Sequence, residues 1–146
     1  MHHPGLFVNL LNFLIESWYL VLVAVVSGGL LLWPLIRTRS SGASLSPLQA
    51  TLMINREDAI VLDIREPAEW SKGHIPNARH IPLGQIEKRL AELDRFKAKP
   101  IIVSCATGSR AGSVCGTLRK AGFEKVFNLA GGVPAWEQAG QPLTTR

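Results

Sequence analysis

Apolar residues fall into two regimes along this chain. Residues 17–36, SWYLVLVAVVSGGLLLWPLI, carry no charge. As a helix these residues rise about 30 Å, the hydrocarbon thickness of a bilayer, and so predict a single membrane-spanning helix. Trp18 and Tyr19 at one end and Trp33 at the other stand where amphipathic rings favour the membrane interface. Residues 1–16 form a separate N-terminal segment, in which LFVNLLNFLIE either extends the span or lies on the surface. From residue 46 onward the apolar residues come in short runs instead, separated by stretches with helical spacing.

The flanks decide how the first regime is read. A cleaved signal peptide starts with a basic stretch and has a shorter apolar region, whereas residues 1–16 contain no Lys or Arg and Arg37 and Arg39 follow the span directly. A buried helix apolar on every side needs a larger core than the remaining residues offer. Arginines held on the cytoplasmic side orient the span, with the N-terminus outside and the following domain in the cytoplasm. In a bacterium this is a single-pass anchor in the inner membrane. Residues 37–45 are Ser-rich and read as a flexible linker.

In residues 46–146, Ser46 followed by Pro47 is an N-cap with proline at the first helical position, opening a helix to about Asn55. AIVL from Ala59, ARHIPL from Ala78, PIIVS from Pro100 and KVFNL from Lys125 are strand-like. Between and after them, residues 85–93, 110–121 and 133–139 have helical spacing. Short runs apolar on both faces, alternating with amphipathic helices, predict an α/β fold with a mainly parallel central sheet flanked by helices. Ligands in such sheets bind beyond the carboxyl ends of the strands.

Composition narrows the partners. The net charge is +5, and since Glu16 is the only charged side chain before Arg37, the domain carries slightly more. Its basic residues occur singly or in pairs without interleaved aromatics, which argues against a nucleic-acid surface. Two cysteines with nine residues between them fit neither a zinc spacing nor a disulfide framework and agree with a reducing compartment. His2 and His3 are too few and too terminal for a metal site, and no metal and no organic cofactor are expected.

Cys105 stands where the strand PIIVS ends, in the stretch CATGSR. Backbone N–H groups and a helix start near Ser109 would favour its thiolate, the reactive form. Gly108 frees the turn and lets amides approach an anion. Ala106, Thr107 and Ser109 are small or polar and leave a narrow, open mouth, and Arg110, turned inward, would hold an anionic donor in a fork. A small buried apolar cysteine is the competing reading. Cys115 falls on the core face of the next helix with Ala111, Val114 and Leu118 and reads as packing; a disulfide between the two cysteines is disfavoured.

VLDIREPAEWSKGHIPNARHIPL from Val61, IIVSCATGSRA from Ile101 and AGFEKVFNLAGGVPAW from Ala121, in this order, resemble the single-domain rhodaneses, a family of sulfurtransferases. The resemblance covers residues 46–143. It implies a central parallel sheet, and Cys105 as the nucleophile that takes a sulfane sulfur from thiosulfate or a persulfide, forms a persulfide and passes the sulfur to a thiol or cyanide acceptor. Ala106, Thr107, Gly108, Ser109 and Arg110 would then hold the persulfide and the donor's oxygens. An anchor ahead of one such domain is a bacterial variation on the family. Cysteine phosphatases have five residues between nucleophile and arginine, whereas four separate Cys105 from Arg110, a ring sized for one sulfur atom. Asp63 and Arg65 would buttress the loop through hydrogen bonds, the alternative being pairing of Arg65 with Glu66 or Glu69. His74 is read as fixing a turn, His80 as a strand side chain, and Trp70 and Trp136 as edge packing. Rhodanese-like domains also serve as interaction or regulatory modules, and tethering would bring a membrane-protein partner into reach.

Overall fold

The computed structural model describes residues 5–40 and 42–146. The chain divides into two compact units, Met1–Arg37 and Thr38–Arg146. The first holds α1 (Gly5–Glu16) and most of α2 (Trp18–Ser40). Ser17 does not interrupt the hydrogen bonding: its N–H donates to Phe13 O at 2.9 Å and its carbonyl accepts from Leu20 N at 2.9 Å. Along α2 large apolar side chains are exposed, Leu30 and Leu31 by 70% and 74%.

The membrane span expected at residues 17–36 is not found as such: among the described residues no helix is long and apolar enough to cross a membrane.

The second unit contains β1 (Ala43–Leu45), α3 (Pro47–Glu57), β2 (Ile60–Asp63), α4 (Pro67–Trp70), β3 (Arg79–His80), α5 (Ile86–Arg89), β4 (Ile101–Ser104), α6 (Ala111–Lys120), β5 (Val126–Leu129) and α7 (Gly132–Gln138). The expected linker at residues 37–45 needs correction. Helix α2 runs on through Ser40, and Ala43, Ser44 and Leu45 pair in parallel with Phe127, Asn128 and Leu129; Ser41 lies outside the described residues. The backbone of β5 has an otherwise open edge whose donors and acceptors need partners, and β1 supplies them.

Helix α3 starts as its sequence dictates. Ser46 Oγ accepts from Gln49 N at 3.3 Å, Gln49 Oε1 accepts from Ser46 N at 2.9 Å, and Pro47 takes a position where no N–H is needed. Its end is set by Asp58, at φ 54°, whose N–H returns to Met53 O. The run expected as one helix at residues 85–93 is instead a single α turn, α5, between 3-10 turns at Leu83–Gln85 and Leu90–Phe96. Short apolar spacing alone does not separate an α from a 3-10 ladder.

The five strands form one parallel sheet in the order β1-β5-β4-β2-β3. Strand β4 is buried throughout, as an inner parallel strand covered on both faces must be. Ile101, Val103 and Cys105 join Leu62, Ala111, Val114 and Leu118 on one side. Ile102 joins Val61, Ala50, Leu129 and Trp136 on the other. The chain leaves β2 toward β3 and leaves β4 toward β5, in opposite directions along the sheet. Their carboxyl ends thus flank a topological switch point, where such sheets open a crevice.

Candidate active site

The loop CATGSR leaves β4 at this switch point and turns into α6, which starts at Ala111 rather than near Ser109. Gly108 makes the turn possible: at φ 82° its N–H donates to Cys105 Sγ at 2.8 Å. Among the described residues this is the hydrogen bond to the sulfur, so the expected ring of several amides reduces to one. Thr107 and Ser109 hydroxyls bond each other at 2.8 Å, and neither is turned to the sulfur by a bond.

The loop is clamped from a side that the sequence reading did not single out. Val133 N donates to Cys105 O at 3.1 Å, and Asn128 Nδ2 donates to Gly108 O at 3.0 Å. Gly131 and Gly132, at φ 71° and 65°, let the turn after β5 lie directly against the loop. A Cβ on Gly132 would stand 2.0 Å from Cys105 O, and one on Gly108 would stand 3.0 Å from Gly131 N. The glycine pair precedes the helix expected at residues 133–139; that it abuts the cysteine loop is a consequence of β4 and β5 being neighbours. Gly132→Ala is expected to lose stability on the order of 3 kcal/mol in urea unfolding, from the overlap and the left-handed backbone together. A loss below about 0.5 kcal/mol would mean that the loop is not held here.

This clamp corrects the expected open mouth. Cys105 is only 1% exposed, because the loop folds back over its own sulfur and is pinned there. Arg110 is exposed at the helix start, and its side chain has no hydrogen bond or ion pair among the described residues, so the inward fork is not formed. Ala106 is partly open to solvent and lines a cleft of about 330 Å³ with Arg65, Gly73, Val133 and Leu143.

Asp63 and Arg65 are buried, and they bind each other rather than the loop. Arg65 Nη2 donates to Asp63 Oδ2 at 2.8 Å, Nε lies 3.0 Å from both carboxylate oxygens, and Arg65 N donates to Asp63 Oδ1 at 3.0 Å. Nη2 also donates to Gly73 O at 2.8 Å. Neither the direct buttress nor pairing with Glu66 or Glu69 is what forms. The pair closes the end of β2, and the loop is reached through the strands instead: Ile64 N donates to Ser104 O at 3.0 Å, one residue before Cys105.

His74, Trp70 and His80 form one stack. The Trp70 ring lies 3.5 Å from His74 and 4.6 Å from His80 between centroids, nearly parallel to both. His74 also exchanges backbone hydrogen bonds of 2.8 Å with Thr144, and His80 Nε2 lies 2.8 Å from Arg65 O. These are structural ties, with His74 fixing the tail as well as the turn. Trp136 packs in the core and donates from Nε1 to Pro142 O at 3.0 Å. His2 and His3 lie outside the described residues.

Both cysteines are free and buried. Burial pushes the Cys115 thiol up from its ordinary 9.0 to about 11. The folded state therefore holds this proton where the unfolded chain releases it. Stability from the neutral thiol is complete below about pH 9 and is lost as pH rises toward 11, on the order of 2 kcal/mol. Comparing the pH dependence of urea unfolding between the protein and Cys115→Ala should show the variant with the flatter alkaline limb.

The sheet, the switch-point loop and its amide-bound cysteine define a class, and comparison with known proteins places the chain in it. Residues 46–139 match the model of the rhodanese-like domain, and the chain belongs to that family. A sulfurtransferase of Allochromatium vinosum is 35% identical over 91 residues, 62% of this chain and 83% of the relative. The thiosulfate sulfurtransferase GlpE of Coxiella burnetii is 30% identical over 64% of this chain and 85% of its own length. The crystal structure of a rhodanese-related protein from Thermoplasma volcanium superposes with a TM-score of 0.65 at 27% identity, covering 71% of this chain and 99% of that one.

Proposed function

We propose that the protein is a membrane-tethered sulfurtransferase in which Cys105 carries the sulfur. The observation that carries this reading is the Gly108 N–H directed at Cys105 Sγ from 2.8 Å, in the loop that leads from β4 into α6. The Cys105 thiolate attacks the outer sulfur of thiosulfate or of a donor persulfide. The sulfur–sulfur bond of the donor breaks, its electron pair leaves with sulfite or the donor thiolate, and Cys105 is left as a persulfide. An acceptor thiol or cyanide then attacks the outer sulfur, and Cys105 leaves as thiolate. Gly108 N holds the sulfur, Ala106, Thr107 and Ser109 complete the loop that carries it, and Arg110, exposed at the helix start, is the cation nearest in sequence for an anionic donor. Asp63 and Arg65 support the strand end beside it.

Residues 17–36 serve in this reading as a single-pass anchor in the inner membrane, with the N-terminus outside and the domain in the cytoplasm. Support comes from the exposed apolar side chains of α2 and from the uncharged run 17–36 with Arg37 and Arg39 directly after it in sequence. Incubation with thiosulfate, followed by intact-mass and peptide analysis, should add one sulfur atom at Cys105. A protein that takes up no sulfur from thiosulfate or from a low-molecular-weight persulfide is not a sulfurtransferase.

One observation favours a second reading, that of an interaction or regulatory module for a membrane-associated partner: the 1% exposure of Cys105. Iodoacetamide separates the two. A module leaves Cys105 no faster than free cysteine at neutral pH, whereas a sulfur carrier opens its loop and is alkylated faster.

A further inference from the structure

The cleft beside Ala106 carries charges that the transfer chemistry itself does not use. Glu69 on α4 and Lys72 just after that helix form one wall, and Glu137 on α7 stands on the other. Arg65 also reaches the cleft, but its charge is matched by Asp63. Among the described residues neither Lys72 nor Glu137 has an ion-pair partner. Glu69 does no more than accept a backbone bond from Glu66 N at 3.2 Å. Two carboxylates and one ammonium therefore face about 330 Å³ of space, the low end of the range for small-molecule clefts.

This balance is wrong for a small dianion, which would meet two like charges and one opposite. It suits a ligand that brings its own ammonium and carboxylate. Resting on the sulfurtransferase reading, we infer that the cleft selects the sulfur acceptor and takes zwitterionic amino-acid thiols, with Glu69 and Glu137 receiving the ammonium and Lys72 the carboxylate. The cleft touches the loop at Ala106, next to Cys105, and at Val133, whose amide holds the Cys105 carbonyl. A thiol seated in it thus lies beside the residue that follows Cys105; Cys105 is buried and does not itself line the cleft, so its persulfide, about 2 Å longer than Sγ, meets the thiol when the loop opens. The acceptor thiol gives its proton to solvent and its sulfur bonds the outer sulfur of Cys105. The bond between Cys105 Sγ and that sulfur breaks with its electron pair on Sγ, so the acceptor leaves as a persulfide and no external oxidant or reductant is consumed.

The test is a single-turnover chase of the full-length protein, loaded with one sulfur from thiosulfate, by L-cysteine, cysteamine or 3-mercaptopropionate at matched thiolate concentration. Loss of the sulfur from Cys105 is followed by mass. L-cysteine should discharge the persulfide about five-fold faster than 3-mercaptopropionate, which lacks the ammonium, the size given by partly exposed ion pairs. In Glu69→Gln/Glu137→Gln that preference should vanish; glutamine at residue 69 keeps the acceptor for Glu66 N, so the fold is retained. Lys72→Met should bring L-cysteine down to the rate of cysteamine, which lacks the carboxylate. A protein that loads sulfur and then discharges it to all three thiols alike, or keeps the same preferences in both variants, overturns this inference alone. A protein that never loads sulfur overturns the sulfurtransferase reading and this inference with it.

Discussion

Cys105→Ser is expected to lower thiosulfate-to-cyanide sulfur transfer by on the order of 10³-fold or more. A serine hydroxyl is not ionised near neutral pH, and its oxygen forms no persulfide from which a sulfur atom could be passed on. The change alters little else. Serine matches cysteine closely in volume, and its oxygen can still accept from Gly108 N, so the loop keeps its closing hydrogen bond. Cys115 cannot substitute, because it is buried on the core face of α6 with its thiol held protonated up to about 11. Steady-state turnover and the mass of the loaded protein check both halves. Retention of more than about a tenth of the wild-type rate would remove Cys105 from the mechanism.

Asp63→Ala is expected to cost about 3–5 kcal/mol in urea unfolding. The carboxylate is fully buried and Arg65 is 8% exposed, so removing Asp63 strands a permanent cation whose remaining partner among the described residues is the Gly73 carbonyl. Attraction between the charges is then not what the experiment measures; the loss is mainly the penalty of leaving one of them unpaired. Replacing both by apolar residues of similar size, as in Asp63→Leu/Arg65→Met, should therefore recover much of the loss. A cost below about 1 kcal/mol for Asp63→Ala would show that Arg65 finds water or another partner instead. Arg65 also lines the acceptor cleft, so Asp63→Ala should change the apparent affinity for the acceptor as well.

Much of this domain is legible in its residues alone. Ser46-Pro47 with Gln49 three residues after the cap dictates a helix start through local hydrogen bonds, and IIVS dictates a buried strand because Ile101, Ile102 and Val103 must leave water. Cys105 at the end of that strand followed from the alternation of strands and helices. What the residues did not show was β1: ASL has neither length nor a strong apolar pattern, and it is a strand only because β5 offers it an edge. The 3-10 turns at Leu90–Phe96 escaped for a similar reason, since their ladder differs from an α-helix by one residue of register.

The local chemistry of the site was determined by the sequence itself: a thiol, a glycine three residues later to bring an amide to it, and a helix to follow, all within six positions where no distant contact is needed. Which groups surround that thiol was decided by the tertiary structure. Strand order sets the glycine pair 131–132 against Cys105, closes the loop over its sulfur, and gathers Glu69, Lys72 and Glu137 beside Ala106. Backbone hydrogen bonds between neighbours are encoded in a few adjacent residues. Contacts between residues dozens of positions apart exist only once the sheet has chosen which strands lie side by side.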